Sequence, residues 1–374
     1  MARIVLAMSG GVDSSVAAHL LLDAGHDVVG VFMRHGEESA SVYQNADACK
    51  VGDGKLPVLS GGMRADHKQG CCTASDAADA RRVAARMDIP FYALDLQADF
   101  KRIVDYFVDD YLSGRTPNPC VRCNQWIKFG RLFDYADSVD AEFVATGHYA
   151  RMIDGTLHRG LDSKKDQSYA LFGIRRDRLS RMMLPVGGFE KPRIREIAES
   201  LDLGVAAKKD SQEICFVTQG HHSDFVRARE PDRSSTTPGN FVSTDGKVLG
   251  QHRGYEAFTI GQRKGLGIAL GEPHFVIRID PKTSDVVLGK KASLAKAGLT
   301  AGEANWLVDL SDLPSEVSVQ IRYNSPPQPA KLTIDESNPE QFEVTFDEPQ
   351  DAVAPGQAAV VYHDSRVLGG GWIQ

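Results

Sequence analysis

Three groups of residues in this chain have the types and spacing to do chemistry. The first is Ser9-Gly10-Gly11-Val12-Asp13-Ser14-Ser15, which joins two glycines to three hydroxyls and a carboxylate. Glycines let backbone N–H groups approach a ligand with no Cβ in the way, and hydroxyls and the positive end of a following helix then converge on an anion. Such a cradle suits a pyrophosphate, and the chemistry it suits is the splitting of ATP between its α and β phosphates. Asp13 is the odd member, because a carboxylate beside phosphates repels them unless it helps to hold a divalent cation such as Mg2+. The plainer alternative is a Gly-Gly turn followed by a Ser or Asp helix cap. Seven such residues directly after a first strand favour the cradle.

The second and third groups are cysteines, of which the chain has six, at 49, 71, 72, 120, 123 and 215. Thr116-Pro117-Asn118-Pro119-Cys120-Val121-Arg122-Cys123-Asn124 is a loop stiffened by two prolines that fixes two thiols. Lys208-Lys209-Asp210-Ser211-Gln212-Glu213-Ile214-Cys215-Phe216 places one cysteine after two lysines, whose charge would lower its pKa if they lie close in space. Three readings are open: small buried residues, a structural zinc site, or sulfur transfer on a thiolate. Zinc needs a fourth ligand, and the adjacent pair Cys71-Cys72 is a poor chelator of one ion. An even cysteine count does not imply disulfides in a reducing compartment.

These groups need elements to hold them. Arg3 to Met8 is a short apolar run, Asp13 to Ala24 carries Val16, Ala17, Leu20 and Leu21 at helical spacing, and Val28 to Met33 is a second apolar run. Together they predict a βαβ unit. Helices are expected at Ser75 to Met87, capped by Ser75 or Thr73, and at Phe100 to Tyr111, with strands at Phe91 to Leu96 and Phe143 to Thr146. The alternation predicts an α/β fold with a doubly wound, mostly parallel sheet. Ligands of such a sheet lie beyond the carboxyl ends of its strands, where Ser9, Met33 and Gly147 fall. The stretch from His35 to Gln69 has no sustained period and reads as an insertion.

After about residue 205 the pattern changes to short alternating runs, among them Val317 to Tyr323, Ala330 to Ile334, Phe342 to Phe346 and Gln357 to Tyr362. That spacing predicts a C-terminal antiparallel β-barrel. The expected division is 1–205 for the α/β domain, 206–282 for a small central domain and 283–374 for the barrel. A net charge of −7 argues against bulk, non-specific coating of nucleic acid, while leaving room for a local basic patch. No apolar run reaches the roughly 18 residues of a membrane span, and the opening Met1 to Ala7 does not read as a signal peptide. A cytoplasmic enzyme is the expectation.

The segment Ser9 to Ser14 resembles the motif of the PP-loop ATP pyrophosphatases, which adenylate an oxygen of their substrate. The resemblance sharpens at Thr116 to Asn124, Ala145-Thr146-Gly147-His148-Tyr149, Gly160 to Tyr169, Ser211 to Phe216 and Gly261 to Gly267. Together these look like the tRNA-specific 2-thiouridylase family, over nearly the whole chain. The resemblance implies ATP-dependent replacement of O2 of the wobble uridine of tRNA by sulfur, with adenylation of the uracil C2 oxygen first, since that oxygen leaves poorly. It implies a persulfide on Cys215, supplied by an upstream cysteine desulfurase or relay protein, with Cys123 as partner thiol and a disulfide between the two after transfer. ATP contacts would be Ala7, Met8, Ser9, Gly10, Gly11, Val12, Asp13, Ser14, Met33 and Gly147. Asn118, Pro119 and Cys120 would form the target-base loop, and His148, Lys165, Asp166, Gln167, Arg322, Tyr323 and Gln357 would contact tRNA. Lys165 would act electrostatically and Tyr323 by stacking on an unpaired base. Lys164, Lys208, Lys209, Arg263 and Lys264 would add local positive charge on an otherwise acidic protein. Without the family, His148 reads as a satisfied strand-end histidine and Arg322-Tyr323 as barrel surface.

One departure matters. Many members have Asp where this chain has Cys120, so Asp-x-x-Cys becomes Cys-x-x-Cys. Cys120 cannot inherit an acid or base role, and Cys120, Cys123 and Cys215 together have the count needed for a [4Fe-4S] cluster with one open iron that would carry sulfide. Persulfide and cluster chemistry are therefore both expectations to set against the structure. A PP-loop synthetase acting on a small molecule is a further alternative, disfavoured by the paired cysteines and the barrel.

Overall fold

The computed structural model describes residues 1–34, 73–206, 208, 214–217, 220–234, 237–335 and 337–374. The expected insertion at 35–69, Cys49, the pair Cys71-Cys72 and Lys209 lie outside the described residues.

The first strands are β1 (Arg3–Ala7), β2 (Asp27–Arg34), β3 (Phe91–Asp95) and β4 (Phe143–Ala145), followed by the hairpin β5 (Ala150–Ile153) and β6 (Thr156–Arg159), and by β7 (Met182–Met183). Five of them make an all-parallel sheet in the order β3-β2-β1-β4-β7. β1 is central and is covered on both faces, which is why Ile4, Val5 and Leu6 form an unbroken apolar run. Chain order reverses across β1, with β2 on one side and β4 on the other, so the crevice beyond their carboxyl ends is the expected ligand site. The Val12–Asp23 helix closes one side through Val12, Val16, Ala17 and Leu21. The Ala74–Arg86 helix starts in a capping box in which Thr73 accepts from the Asp76 N–H and Asp76 accepts from Thr73, so Thr73 is the cap.

The central unit is a four-stranded sheet of β8 (Gly239–Ser243), β9 (Val248–His252), β10 (Phe275–Asp280) and β11 (Asp285–Gly289), ordered β10-β11-β8-β9. Its core is Phe241, Tyr255, Phe258, Val276, Val286 and Leu288. Because β11 pairs with β8, this sheet runs past residue 282, where the sequence pattern had suggested a boundary.

The last unit is a closed antiparallel barrel of six strands: β12 (Ala295–Trp306), β13 (Glu316–Gln320), β14 (Gln328–Ile334), β15 (Phe342–Asp351), β16 (Ala358–His363) and β17 (Arg366–Ile373). Pairing of β12 with β17 closes it. Closure depends on Gly369, Gly370 and Gly371, where an added Cβ would stand 2.4, 2.6 and 2.7 Å from carbonyl oxygens of Asn305, Ala359 and Gly302. The hairpin β5–β6 joins the barrel's sheet through β17, with His158 opposite Arg366. Phe133, Leu171 and Phe172 of the α/β domain share one core with Val360, Tyr362 and Trp372 of the barrel. Among the described residues no helix is long and apolar enough to cross a membrane.

Candidate active site at the phosphate loop and the cysteine turn

The Ser9–Ser15 loop follows β1 and enters the Val12–Asp23 helix through Gly11, and no side chain caps that helix start. Its first N–H groups and the positive end of its dipole are left to meet an anion. Internal hydrogen bonds hold the loop open: Ser9 N–H donates to Ser14 Oγ at 3.2 Å, and Ser14 Oγ and Ser15 Oγ donate to the Gly11 carbonyl at 3.2 and 2.8 Å. Two glycines are obligatory for close approach. Gly10 has φ +70° and an added Cβ would lie 2.1 Å from the Asp76 carbonyl oxygen, while a Cβ on Gly147, just past β4, would lie 2.7 Å from the Ser14 nitrogen. Ala7, Met8 and Val12 are buried and support the loop from below, leaving Ser9 exposed. The loop fits a phosphate chain.

Asp13 has a partner that the sequence pattern did not single out. Lys191, a buried residue at the start of the Lys191–Ser200 helix, donates from Nζ to both Asp13 oxygens at 2.9 Å, and Tyr149 Oη donates to Oδ1 at 2.6 Å. The carboxylate that had called for a divalent cation is balanced by an ammonium group, so the Asp13 oxygens do not present a Mg2+ site in this arrangement. Lys191 stands 178 positions from Asp13 in the chain, and nothing local to either residue signals the pairing. Lys208 is also spoken for. Its Nζ donates to the Gly10 carbonyl at 3.0 Å, to Asp76 at 2.5 Å and to Asp79 at 2.7 Å. Burial alone would lower its pKa, but its hydrogen bonds to the Asp76 and Asp79 carboxylates, with their negative charge, outweigh that and hold it above the usual lysine value. Lys208 thus ties the segment leading to Cys215 onto the phosphate loop, and its charge is directed at carboxylates instead of a cysteine or RNA.

The cysteine turn is built by Asn118, whose side chain caps the Pro119–Cys123 helix by accepting from the Val121 N–H, and by Pro119 at the first helical position. A stretch of π-helix, Asn124–Arg131, follows directly, a form frequent at functional sites. Cys120 is exposed on the turn, whereas Cys123 and Cys215 are half-buried. Although 92 positions apart, Cys123 and Cys215 pack with Met33 against one apolar cluster of Leu96, Phe100, Ile103, Val104 and Ile127. Among the described residues no three His, Cys, Asp or Glu side chains stand together as a metal site.

Barrel residues hold this turn. Arg122 is buried with its guanidinium 3.9 Å from the ring centre of Trp372 and 5.0 and 5.3 Å from those of Trp126 and Tyr106, and it donates to Glu303 at 2.8 Å. Gln357 Nε2 donates to the carbonyls of Thr116 and Pro117, both at 3.1 Å, and the Thr116 N–H donates to the Pro355 carbonyl at 2.8 Å. Gln357, expected among the tRNA contacts, spends its amide on the loop backbone.

The other residues expected to touch tRNA divide sharply. His148 is buried, shares a 2.7 Å hydrogen bond between Nδ1 and Thr146 Oγ1, and has its pKa pushed well below the usual histidine value by burial and by Lys128. It is the satisfied strand-end histidine of the plainer alternative. Asp166 accepts from Arg159, from the Gly160 and Ser168 N–H groups and from the Ser168 hydroxyl, and Gln167 accepts from the Tyr149 N–H at 2.9 Å. Both organise the 160–168 turn from within. Lys165 sits on that turn, half-buried. Arg322 and Tyr323 are exposed, Tyr323 at 45%, on a loop whose carbonyls accept from Gln320 Nε2 at 3.0 and 2.9 Å. That ring is presented on a rigid support.

The family described as the tRNA methyl transferase HUP domain matches residues 2–219, the tRNA methyl transferase PRC-barrel domain 224–290, and the aminomethyltransferase beta-barrel domain 296–373. The chain is 66% identical over 391 residues to the tRNA-specific 2-thiouridylase MnmA of Rhodopirellula baltica, covering 100% of this chain and 96% of that protein. The protein of the same name from Carboxydothermus hydrogenoformans is 43% identical over 381 residues, covering 100% and 97%. Among solved structures, a 4-thiouridine synthetase in complex with RNA and ATP aligns at 16% identity and a TM-score of 0.36, over 62% of this chain and 51% of that one.

Proposed function

The chain belongs to the tRNA-specific 2-thiouridylase family and is a tRNA-uridine 2-sulfurtransferase, and from that premise we propose how its residues divide the work. ATP lies along the Ser9–Ser15 loop, with Met33 and Gly147 flanking it. The C2 oxygen of the wobble uracil attacks the α-phosphorus, the bond to the β-phosphate breaks, and pyrophosphate leaves. The oxygen is then part of AMP, a far better leaving group. The terminal sulfur of a persulfide on Cys215 attacks C2, and AMP departs with the oxygen. The Cys123 thiolate attacks Cys215 Sγ, the S–S bond breaks with its electron pair passing to the sulfur now on C2, and a Cys123–Cys215 disulfide remains for an external thiol to reduce. A cysteine desulfurase or relay protein reloads Cys215.

The observation that carries this proposal is the meeting of Cys123, Cys215 and Met33 on one apolar cluster, from positions distant in the chain, with Met33 on β2 beside the strand that leads into the phosphate loop. An apolar floor there keeps water from the adenylate and sulfur from being lost by side reactions. Asn118 and Pro119 present the base, with Cys120 on the solvent side of the turn, and Tyr323 supplies a stacking face. Exposed Arg322 and half-buried Lys165 supply charge for the RNA backbone.

The test is to combine protein, ATP and unmodified tRNA, follow pyrophosphate, and map by mass spectrometry which uridine gains sulfur. Release that needs tRNA, with the mass gain at the wobble position, is expected; release with a mononucleotide alone refutes the assignment. Cys215→Ser should abolish sulfur gain while an ATP analogue still binds, and full sulfur transfer by that variant would remove Cys215 from its role.

A further inference from the structure

The 160–168 turn and the phosphate loop are joined by two short paths that meet on one carboxylate. In the first, Asp162 Oδ2 accepts from the backbone N–H of Lys191 at 3.0 Å, and Lys191 Nζ donates to both oxygens of Asp13. In the second, Gln167 clasps Tyr149 from both sides, its Oε1 accepting from the Tyr149 N–H at 2.9 Å and its own N–H donating to the Tyr149 carbonyl at 2.8 Å. Tyr149 Oη then donates to Asp13 at 2.6 Å. The two paths touch, since Lys191 Nζ lies 5.5 Å from the Tyr149 ring centre.

The outer end of the first path lies at the solvent-exposed part of the turn, the second begins at half-buried Gln167, and both end on Asp13 in the phosphate loop. Leu161, Ser163 and Lys164 are exposed around Asp162, while Lys191 is buried. A buried ammonium on a carboxylate is costly to displace, so the Asp13 carboxylate goes where Lys191 and Tyr149 go. Asp13 sits in the first turn of the helix that heads the phosphate loop. A small shift of the 160–168 turn is therefore delivered to the place where the α–β bond must be held in line. Gly187 packs the intervening backbone tightly, as a Cβ there would fall 1.7 Å from the Ala150 carbonyl oxygen. Little slack is left to absorb such a shift.

We infer that Asp162, Gln167, Tyr149 and Lys191 form a positioning relay by which RNA seated on the 160–168 turn sets the Asp13 carboxylate, so that ATP is split only when tRNA is in place. None of the four is a catalytic residue in this scheme; each acts through Asp13. The inference rests on the proposed function, because it requires that RNA touch this turn.

The experiment measures tRNA-stimulated pyrophosphate release for the wild type, Asp162→Ala, Tyr149→Phe and the double variant, together with dissociation constants for tRNA and a non-hydrolysable ATP analogue. Each single variant should lose about tenfold or more in kcat for tRNA-stimulated release, the loss expected when one hydrogen bond to a charged group goes. Both dissociation constants should stay within about twofold, and the double variant should be little worse than the worse single, as members of one unit behave. Wild-type stimulation in both single variants, or losses that multiply in the double, overturns the relay while leaving the proposed function standing. Absence of tRNA stimulation in the wild type overturns both. Tyr149→Phe keeps the ring and its packing, so it folds if either variant does, and its melting curve beside the wild type controls for structural loss.

Discussion

The phosphate loop and the cysteine turn are rigid for opposite reasons. Ser9 to Ser15 is fixed mainly from within, by hydroxyl and N–H bonds spanning three to five positions and by glycines that admit close backbone. Thr116 to Cys123 is fixed from far away, by Glu303, Gln357 and Trp372, which the chain supplies 181 to 250 positions after the residues they hold. The first design gives the loop its shape locally, with Asp13 and the Gly10 carbonyl additionally tied from a distance by Tyr149, Lys191 and Lys208. The second makes the reactive turn conditional on a docked barrel, which ties sulfur chemistry to the domain that also presents Tyr323. ATP chemistry and sulfur chemistry should therefore fail separately.

The largest effect should come from Gly10→Ala. Alanine at φ +70° is strained, and its Cβ would have to push the Asp76 carbonyl away from a 2.1 Å contact, displacing the start of the Ala74–Arg86 helix and the Lys208 bridge. We expect a cost above about 3 kcal/mol at the loop and binding of an ATP analogue weakened at least about a hundredfold. Calorimetric titration reads this directly. Binding within about threefold of wild type would break the claim that the loop's internal geometry makes the site.

The same contrast explains what was legible in the sequence. β1, the glycine pair and the following helix are adjacent in the chain, and periodicity with glycine chemistry identifies them together. The parallel sheet and the barrel follow from alternation and from runs such as Ala330 to Ile334. Hidden from sequence were pairings made only by folding: Lys191 on Asp13, Lys208 on Asp76 and Asp79, and Arg122 among Tyr106, Trp126 and Trp372. β12 and β17 are not among the runs singled out from alternation, for a different reason. β12 is rich in Ala and Gly and β17 in Gly, residues with weak strand preference, and the glycines of β17 are there because barrel closure leaves no room for side chains. His148 and Gln357 had been expected at the RNA surface through family resemblance, and the fold uses both side chains inside.

A smaller effect should follow from Arg122→Ala. It removes a guanidinium held by three rings and by Glu303, at about 2 kcal/mol of stability, and lets the cysteine turn drift from Cys215. Thiolation should fall about tenfold or more while ATP-analogue affinity is unchanged. Arg122→Lys should not restore it, because a compact ammonium cannot lie flat against Trp372 and reach Glu303 together. Equal losses of ATP binding and thiolation would show that the two regions are one cooperative unit after all.

The smallest effect should be that of Gln357→Leu, and it separates two roles for one residue. If Gln357 serves to hold the loop, losing its bonds to the Thr116 and Pro117 carbonyls costs about 1 kcal/mol, seen as a lower melting temperature, with thiolation reduced about two- to fivefold through kcat. Affinity for tRNA then stays as in the wild type. If its amide instead turns outward to RNA, tRNA affinity falls and the melting temperature of the protein alone does not. The structure favours the first outcome, because the same stretch of barrel is already pressed on the loop: a Cβ on Gly356 would stand 2.8 Å from the Thr116 carbonyl oxygen, and the Pro355 carbonyl accepts from the Thr116 N–H. Gln357 is the last of three consecutive barrel residues engaged in one contact, and removing it should loosen the cysteine turn without touching the phosphate loop.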